Sequence, residues 1–402
     1  MTSGATIEAP GRARGDRRVR RLFLLAGAAS AAWLPYFTAL LSERGMPASQ
    51  IGLVLAAAAL AGAAAAPLWS HEADTRLGAS RALATASLAA ALCALLQSFT
   101  GTSLWQVGLV AMAMAAAWGP AAALADSVAL STLGPERTGS YGRIRAYASG
   151  GWAIAVIAYG ALYQGVALWL MIPVFAVAEI VLATYVSRTA APPTVRTSRP
   201  RGSRLDSARE AFRGAPRLAP FLGGLLLFSL ATSATEGFVP LQMLGDGGGP
   251  LLIGVAAGLG AALEIPIFVG SGRLGARIGM RTLLLAGFAI GIAVLVAWSL
   301  VDSPAAVAVI RVLAGAGFAL KYVALVVVTD RLVPTHLRST GQALLQTASW
   351  SLAPIAGPAV GGFVYQHLGP PTLFAGAAAV ATIGGLLSWS ALRGVDAGRR
   401  AA

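Results

Sequence analysis

Residues Ile51 to Trp69 read IGLVLAAAALAGAAAAPLW and contain no ionisable side chain. Leu104 to Leu124, LWQVGLVAMAMAAAWGPAAAL, is a second uncharged run of similar length. A helix rises about 1.5 Å per residue, so about 20 apolar residues cross the ~30 Å hydrocarbon core of a bilayer. Both runs therefore predict transmembrane helices.

The composition of the whole chain supports this interpretation. Of its 402 residues, 56% are hydrophobic and 11% are charged, whereas a soluble domain has about 25% charged residues. The formal net charge of +14 does not indicate a nucleic-acid partner, because the arginines lie in short segments between apolar runs. Cys93 is the only cysteine and cannot form an internal disulfide. We expect an integral membrane protein.

Apolar windows recur along the chain and predict twelve transmembrane helices. They cover residues 21–42, 51–70, 82–100, 104–130, 146–164, 168–187, 218–243, 251–270, 282–300, 304–330, 341–364 and 371–392. The first window is longer than the apolar core of about 7–15 residues in a cleaved signal peptide, so an uncleaved first helix is expected.

The loops alternate between arginine-rich and nearly uncharged. The arginine-rich set comprises residues 12–21, 76–81, 137–145, 188–217, 273–281, 331–338 and 393–400. Under the positive-inside rule these loops and both termini are cytoplasmic, which predicts a multi-pass protein of the cell inner (plasma) membrane. The long polar segment 188–217, rich in Pro, Arg, Ser and Thr, is expected to be a linker near anionic lipid headgroups. A partner-binding role for this linker stays open.

The two sides of this linker repeat each other. Trp33-Leu34-Pro35-Tyr36 followed by Ile51-Gly52 in the first part corresponds to Phe238-Val239-Pro240-Leu241 followed by Ile253-Gly254 in the second. The pairs Tyr163-Gln164 and Tyr365-Gln366 end the fifth and eleventh windows. The predicted organisation is a basic cytoplasmic N-terminus (1–20), an N-terminal six-helix bundle (21–187), the linker (188–217), a C-terminal six-helix bundle (218–392) and a cytoplasmic tail (393–402).

With these repeated features the sequence resembles the major facilitator superfamily. Its hallmark is a Gly-x-x-x-Asp-Arg-x-Gly-Arg-Arg loop after the second helix, echoed after the eighth. The second copy here matches through Gly272, Arg277, Gly279 and Arg281, with Ala276 in place of the acid. The first keeps Asp74, but Ser70 replaces the glycine and its Arg and Gly are displaced by one residue. The resemblance implies two pseudo-symmetric six-helix bundles, a cytoplasmic gate and no enzymatic activity or cofactor.

Within this superfamily the chain looks closest to the phenylpropionate-permease-like, nucleoside and oligosaccharide:proton symporter group. The residues that carry this resemblance are Pro35-Tyr36, Glu264-Ile265-Pro266, Tyr141-Gly142-Arg143-Ile144-Arg145 with Gly151-Trp152, and Gly341-Gln342-Ala343-Leu344. The Gly-Pro-x-x-Gly-Gly element of drug antiporters is missing from the fifth window, although residues 357–362 carry one in the eleventh. Proton-coupled uptake of a small organic solute, such as a sugar, nucleoside or aromatic acid, is thus expected, with proton-driven efflux as the alternative.

Ionisable residues inside the apolar windows are the strongest candidates for this function, because burying one costs about 2.5–3.5 kcal/mol on insertion scales. Glu264 lies in the eighth window, and Arg311 and Lys321 lie in the tenth. We expect Glu264 to exchange one of these cations for a proton or solute. A structural, hydrogen-bonded Glu264 and an Arg311 that snorkels to the headgroups are the alternatives. Glu236, Tyr36, Tyr322, Gln342, Gln346 and Trp152 complete the predicted solute and proton site.

Charged residues at the predicted cytoplasmic helix ends form a second group, which we expect to gate the transport path. The gate candidates are Asp74, Arg76, Arg81, Asp126, Arg143, Arg145, Arg277, Arg281, Asp330 and Arg338. Asp126 and Asp330 are expected to pair with loop arginines. Glu179, in the sixth window, is expected to be structural.

The sequence contains no motif that indicates another class of function. There is no phosphate-binding loop for an ATP pump, no His/Cys spacing for a metal and no nucleophile triad. We expect a monomer whose partners are a solute, protons and lipids; a non-transporting membrane sensor or scaffold is the remaining rival.

Overall fold

A computed structural model describes residues 10–133, 141–189 and 204–393, and every regular element in these ranges is a helix. The first part contains α1 (Pro10–Trp33), α2 (Phe37–Glu43), α3 (Ala48–Glu72), α4 (Gly78–Leu96), α5 (Leu104–Trp118), α6 (Ala121–Leu133), α7 (Tyr141–Gly165) and α8 (Met171–Thr189). The second contains α9 (Arg204–Gly214), α10 (Leu218–Glu236), α11 (Val239–Gly245), α12 (Pro250–Ile278), α13 (Met280–Trp298), α14 (Pro304–Leu332), α15 (Arg338–Gln346) and α16 (Ala353–Ala391).

Nine helical segments within these described ranges are long and apolar enough to cross a membrane. Two of them, Ala48–Phe99 with 52 residues and Thr335–Ala391 with 57, exceed twice the ~30 Å core at about 1.5 Å per residue. Each contains a glycine with positive φ that breaks the helical path, Gly78 at 72° and Gly369 at 83°. The chain is a multi-pass helical membrane protein.

Corresponding turns have the same backbone conformation on both sides of the linker. Tyr36 and Phe238, 202 positions apart, precede the seven-residue helices α2 and α11 with φ −110° and −103°. Gly45 and Gly247, also 202 positions apart, follow these helices with φ of 84° and 88°, a conformation open to glycine without a Cβ penalty. The repeated sequence pattern thus corresponds to repeated local structure.

Two pairs of long helices make most of the contact between the parts of the chain that precede and follow the linker: α7 packs on α12, and α3 packs on α16, while the short helices α2 and α11 also touch. Small residues bring these helices into backbone contact. A Cβ at Gly160 of α7 would lie 2.8 Å from the carbonyl oxygen of Pro250, and one at Gly258 of α12 would lie 2.8 Å from that of Ala153. We call the region formed by the N-terminal turns of α3 and α12, the C-terminal part of α7 and residues 358–366 of α16 the closed end.

Two glutamines at the closed end cap helices across this interface. Gln164 Oε1 accepts the Leu251 N–H at 3.3 Å, and Gln366 Oε1 accepts the Ser49 N–H at 2.9 Å. Both donors lie in the first turn of a helix, where backbone N–H groups have no intrahelical acceptor. Each glutamine therefore satisfies a donor of the opposite part of the chain.

Candidate functional site

A cavity of about 450 Å³ lies between the parts of the chain that precede and follow the linker. Its walls come from α1 and α7 on one side, and from α10, α12, α13, α14 and the π-helical turn Thr347–Leu352 on the other. This volume is within the range of about 300–1,000 Å³ that small-molecule sites occupy.

Four ionisable residues predicted from the sequence, Glu236, Glu264, Arg311 and Lys321, line this cavity. The ion pair in this structure differs from the expected one, because Arg311 Nη2 lies 3.2 Å from Glu236 Oε1 and makes no ion pair with Glu264 within the described residues. In the described part of the chain, Glu264 has no hydrogen bond or ion pair. It is partly exposed to the cavity and is therefore available for a proton or a solute group.

Lys321 also lines the cavity without an ion-pair partner in the described ranges. Its ammonium Nζ lies 4.6 Å from the centroid of the Phe228 ring. The negative face of an aromatic ring attracts a cation at this distance, but it does not neutralise the charge. The cavity wall thus holds one complete ion pair, Glu236–Arg311, together with one carboxyl group and one ammonium group that are not paired.

Aromatic side chains surround the same space. The Phe318 ring centroid lies 5.7 Å from that of Tyr322 and 6.0 Å from that of Trp350. Phe268 contacts Tyr322 from α12 at 6.1 Å. Trp350 is 50% exposed although it is large and apolar, so much of its surface faces open space.

Trp350 projects from an irregular part of the helical path. Residues Thr347–Leu352 form a π-helical turn between α15 and α16, and such turns are rare and occur frequently at functional sites. The preceding residue, Ser349, lines the cavity and is 8% exposed, and its Oγ has no hydrogen-bond partner among the residues that the structure describes.

The N-terminal part of the chain contributes smaller groups. Trp152, predicted as a site residue, lines the cavity, and the other lining positions in this part are Gly27, Ser30, Ala148 and Ser149. The Ser30 hydroxyl donates to the Ala26 carbonyl at 3.0 Å within its own helix. The cavity-lining residues with formal charge therefore all come from the second part.

Three predicted site residues are not in the cavity wall. Tyr36 is fully buried at the closed end, where its hydroxyl donates to the Val156 carbonyl at 2.6 Å. Gln342 Nε2 donates to the Val326 carbonyl at 2.8 Å, and Gln346 is exposed on α15. The structure places none of the three in this cavity wall, since sequence position alone does not tell which side of a helix faces a cavity, and their role in transport stays a prediction.

The gate candidates lie at the helix ends away from the closed end. Arg145 Nε and Asp126 Oδ1 are 3.2 Å apart, and Arg338 Nε and Asp330 Oδ1 are also 3.2 Å apart. Each pair joins residues of the same part of the chain. Asp74, Arg76, Arg81 and Arg277 are exposed, Arg281 is half-buried, and the side chain of Arg143 lies outside the described residues.

Glu179, on α8, is a further acidic residue within an apolar helix. It is 1% exposed, and the Trp118 Nε1–H donates to its Oε1 at 2.9 Å. It does not line the cavity described above. This location agrees with the expectation of a structural role.

Sequence reasoning missed several cavity residues. Phe228, Phe318 and Ser349 lack charge and occur in apolar windows, where most such residues pack against lipid or other helices. A signal for Phe318 was available in its spacing of four residues from Tyr322, which places both on one face of α14. No comparable signal marked Ser349, because its orientation depends on the π-helical turn.

Comparisons with known proteins agree with this architecture. The family model described as "MFS_1 like family" matches residues 18–375. A maltose permease from Geobacillus stearothermophilus is 29% identical over 335 residues, which cover 81% of each chain.

Solved structures share the fold at low sequence identity. The nucleoside transporter NupG has a TM-score of 0.81 at 15% identity, with 94% of this chain and 99% of that chain covered. A bacterial homologue of the human lysosomal transporter Spinster, in an inward-facing and unoccupied conformation, has a TM-score of 0.73 at 15% identity and covers 96% of this chain and 98% of that one. The chain belongs to the MFS_1 like family and is a transporter of the major facilitator superfamily.

Proposed function

We propose that this protein is a secondary transporter that takes up a small organic solute together with protons across the cell inner membrane. The observation that carries the proposal is the position of Glu264, a carboxyl group without a hydrogen bond or ion pair in the described ranges, on the wall of the central cavity. Loading with a proton and loading with a solute can both take place there.

Twelve membrane spans fit the helical segments best. The two segments of 52 and 57 residues each divide at a positive-φ glycine into two spans. The 25-residue helix α7 adds another to the nine segments of sufficient length and apolarity. Twelve spans place both termini on one side, which the arginine-rich loops assign to the cytoplasm.

Alternating access follows from two six-helix bundles that rock about a central site. The contacts of α7 with α12 and of α3 with α16 at the closed end join the proposed bundles, 21–187 and 218–392. The proposed cytoplasmic gate, which contains the pairs Asp126–Arg145 and Asp330–Arg338, lies at the other end. Opening one end while the other closes would expose the cavity to each side in turn.

Proton binding at Glu264 supplies the coupling. An ionised Glu264 balances the charge of a cavity wall that also holds Lys321 and the Glu236–Arg311 pair, and a protonated Glu264 leaves a net positive wall. Protonation of the Glu264 carboxyl therefore changes the electrostatic free energy that is needed for the two bundles to rock about the cavity. One proton moving down ~150 mV yields about 3.5 kcal/mol, which corresponds to an accumulation of a few hundredfold.

The proposal is tested with the full chain in sealed vesicles. Glucose, maltose, uridine and 3-phenylpropionate are offered under an imposed pH gradient of either direction. Symport predicts that at least one solute accumulates only when the medium outside is more acidic. Accumulation only when the vesicle interior is more acidic would establish the efflux antiporter instead, the rival kept open by residues 357–362. No flux of any solute would remove transport of these classes and favour a sensor or scaffold.

A further inference from the structure

We propose that Gln242, Asp246 and Asp302 form a binding site for a calcium ion near the closed end. Gln242 lies on α11, Asp246 directly follows this helix, and Asp302 lies in the loop that joins α13 to α14. We call these three residues the loop site. None of them lines the central cavity, so the inference goes beyond the proposed transport function and does not depend on the identity of the solute.

Two contacts hold the segment around the end of α11 against the loop after α13. Gln242 Nε2 donates to the Val301 carbonyl at 3.1 Å. A Cβ at Gly248 would lie 3.1 Å from the Cβ of Pro304. Each acid of the loop site lies in sequence between the two contact positions of its own segment. The two acids are therefore held on adjoining segments.

The loop site contains oxygen atoms that lack a partner. Asp246 Oδ2 is buried and has no hydrogen-bond partner in the described ranges. Gln242 is 4% exposed, and its Oε1 likewise finds no donor among the described residues. Burial, followed by the nearby Asp302 carboxylate, raises the pKa of Asp246. Buried acceptors without a partner are costly, and a single cation would satisfy these oxygen atoms together.

The first part of the duplicated chain has a cation at the equivalent place. Helices α2 and α4 correspond to α11 and α13 residue for residue at a spacing of 202 positions. Arg44 corresponds to Asp246, and its Nη1 lies 3.0 Å from the Gln97 carbonyl oxygen. The same Nη1 lies 3.5 Å from Thr100 Oγ1, and Thr100 corresponds to Asp302. Since both counterparts in the second part are acids, the link that the guanidinium makes in the first part requires a bound cation in the second.

The ligand atoms favour calcium among the common metal ions. The loop site offers two carboxylates and an amide oxygen, which are ligands for a hard cation. Both acids also follow a helix C-terminus, α11 at Gly245 and α13 at Trp298, where the helix dipole favours a cation. Calcium accepts irregular sets of oxygen ligands that water completes, whereas magnesium requires a nearly octahedral set.

The small number of acids predicts weak binding. In the described part of the chain, no group of three or more His, Cys, Asp or Glu residues is suited to a metal ion. The affinity of calcium sites follows the number of charged ligands, and sites of low affinity have a Kd of about 0.1–1 mM. We expect the loop site to fall in this range.

The test uses the purified full-length protein in detergent and a choline chloride buffer, after dialysis against a chelator. Binding of Ca²⁺, Mg²⁺ and Na⁺ is measured by isothermal titration and by thermal unfolding. The variants are Asp246→Asn, Asp302→Asn, Gln242→Leu and Asp246→Arg. Asp206→Asn is the matched control, because it removes an exposed acid that pairs with Arg209 on α9 and is not part of the loop site.

Ca²⁺ should bind at one site and raise Tm by about 1–2 °C at about ten times its Kd. Asp246→Asn and Asp302→Asn should each raise the Kd about tenfold or more, and Gln242→Leu several-fold, whereas Asp206→Asn should leave it unchanged. Asp246→Arg supplies a cation as Arg44 does in the first part. Its Tm should equal or exceed that of the metal-free wild type and should not respond to Ca²⁺.

Several results would overturn the inference. These are the absence of saturable Ca²⁺ binding, unchanged binding in both Asp246→Asn and Asp302→Asn, and an equal loss in Asp206→Asn. Equal responses to Ca²⁺, Mg²⁺ and Na⁺ would also remove the loop site, because they would show screening of surface charge alone. If Asp246→Asn fails to fold, Asp302→Asn decides, since Asp302 is exposed. Solute flux does not enter this test, so failure of the proposed function would leave the loop site in place.

Discussion

The two parts of the duplicated chain share a scaffold and differ in chemistry. Their turns at Gly45 and Gly247 have the same backbone conformation, and their capping glutamines make equivalent contacts. Glu264, however, corresponds at the same spacing of 202 positions to Gly62, where a Cβ would lie 3.3 Å from the Ala115 carbonyl oxygen. At this equivalent position the first part has a glycine that allows two helices to lie in close contact, whereas the second part has a carboxyl group on the cavity wall.

This difference shows that the duplicated architecture does not require duplicated function. The first part supplies small residues, hydroxyl groups and Trp152 to the cavity, and the second supplies the charged residues and the aromatic residues Phe318, Tyr322 and Trp350. We expect mutations of charge in the second part to affect transport most, and mutations of the equivalent contacts at the helix ends to have smaller effects.

The largest of these effects is expected at the ion pair of the cavity wall. Arg311→Gln leaves Glu236 without its 3.2 Å partner, so uptake in vesicles should fall by about tenfold or more, given that 1.4 kcal/mol corresponds to a factor of ten. The double variant Glu236→Gln/Arg311→Gln should keep the protein yield and stability of the wild type, because the Glu236 side chain is 65% exposed and exposed ion pairs contribute about 0–1 kcal/mol.

Glu72→Gln is the matched control, since Glu72 pairs with Arg76 near the exposed helix end and not in the cavity. Loss of uptake of the same size in this control would contradict the distinction between the cavity and the helix ends.

The capping glutamines test the equivalence of the two parts at the closed end. Gln366→Leu and Gln164→Leu each remove an acceptor from a helix N-terminus, and a hydrogen bond contributes about 0.5–1.5 kcal/mol. Each should therefore open the closed end about two- to tenfold more often, with the larger effect for Gln366, whose contact is shorter. The measurement is the labelling rate of a cysteine placed at Thr232 in a Cys93→Ser background, with an impermeant maleimide.

Gln106→Leu is the control here, because Gln106, in the first turn of α5, accepts the Gly101 N–H of the preceding loop and makes no contact across the interface. Faster labelling in this variant, or no change in Gln366→Leu, would contradict a role of the two caps in closure.

Smaller effects on uptake are expected from the paired acids at the helix ends opposite the closed end. Asp126–Arg145 and Asp330–Arg338 have the same 3.2 Å separation and are partly exposed, and such pairs contribute about 0–1 kcal/mol. Asp126→Asn and Asp330→Asn should change uptake rates equally and by less than about fivefold, and high salt should reduce the difference from the wild type. A tenfold loss for only one of them would show that the gate is not symmetric.

The smallest effect concerns two corresponding helix ends. Arg44 donates to the Gln97 carbonyl at 3.0 Å, whereas Asp246, 202 positions later, has a buried Oδ2 that finds no hydrogen-bond partner in the described ranges. Burial, followed by the neighbouring Asp302 carboxylate, raises the pKa of Asp246. Folding therefore favours its protonated form, and this contribution is present at low pH and is lost as pH rises through the raised pKa.

Asp246→Asn should accordingly raise Tm slightly at pH 7.5, and the difference from the wild type should shrink toward pH 4. A lower Tm at pH 7.5 would show that the Asp246 carboxylate is stabilising. Asp206→Asn, which removes an exposed acid from α9, should show no such dependence on pH.

The sequence predicted the apolar helices and the family well, because membrane burial and loop charge leave strong one-dimensional patterns. Glu264, Arg311 and Lys321 were found because a charge in an apolar window is conspicuous. The ion-pair partner of Arg311 could not be predicted from the sequence, because the choice between Glu236 and Glu264 depends on how α10, α12 and α14 are rotated. The position of Tyr36 outside the cavity wall and that of Ser349 within it could not be predicted for the same reason: helix rotation and a π-helical turn are tertiary features.

The most direct test of the account compares two intramembrane acids, Glu264 on the cavity wall and Glu179 in its buried contact with Trp118. Solute-induced proton entry and solute exchange are measured in vesicles that contain the wild type, Glu264→Gln or Glu179→Gln. The account predicts that Glu264→Gln loses proton entry and pH-dependent uptake but retains exchange, and that Glu179→Gln keeps all three. Wild-type proton entry in Glu264→Gln would contradict it.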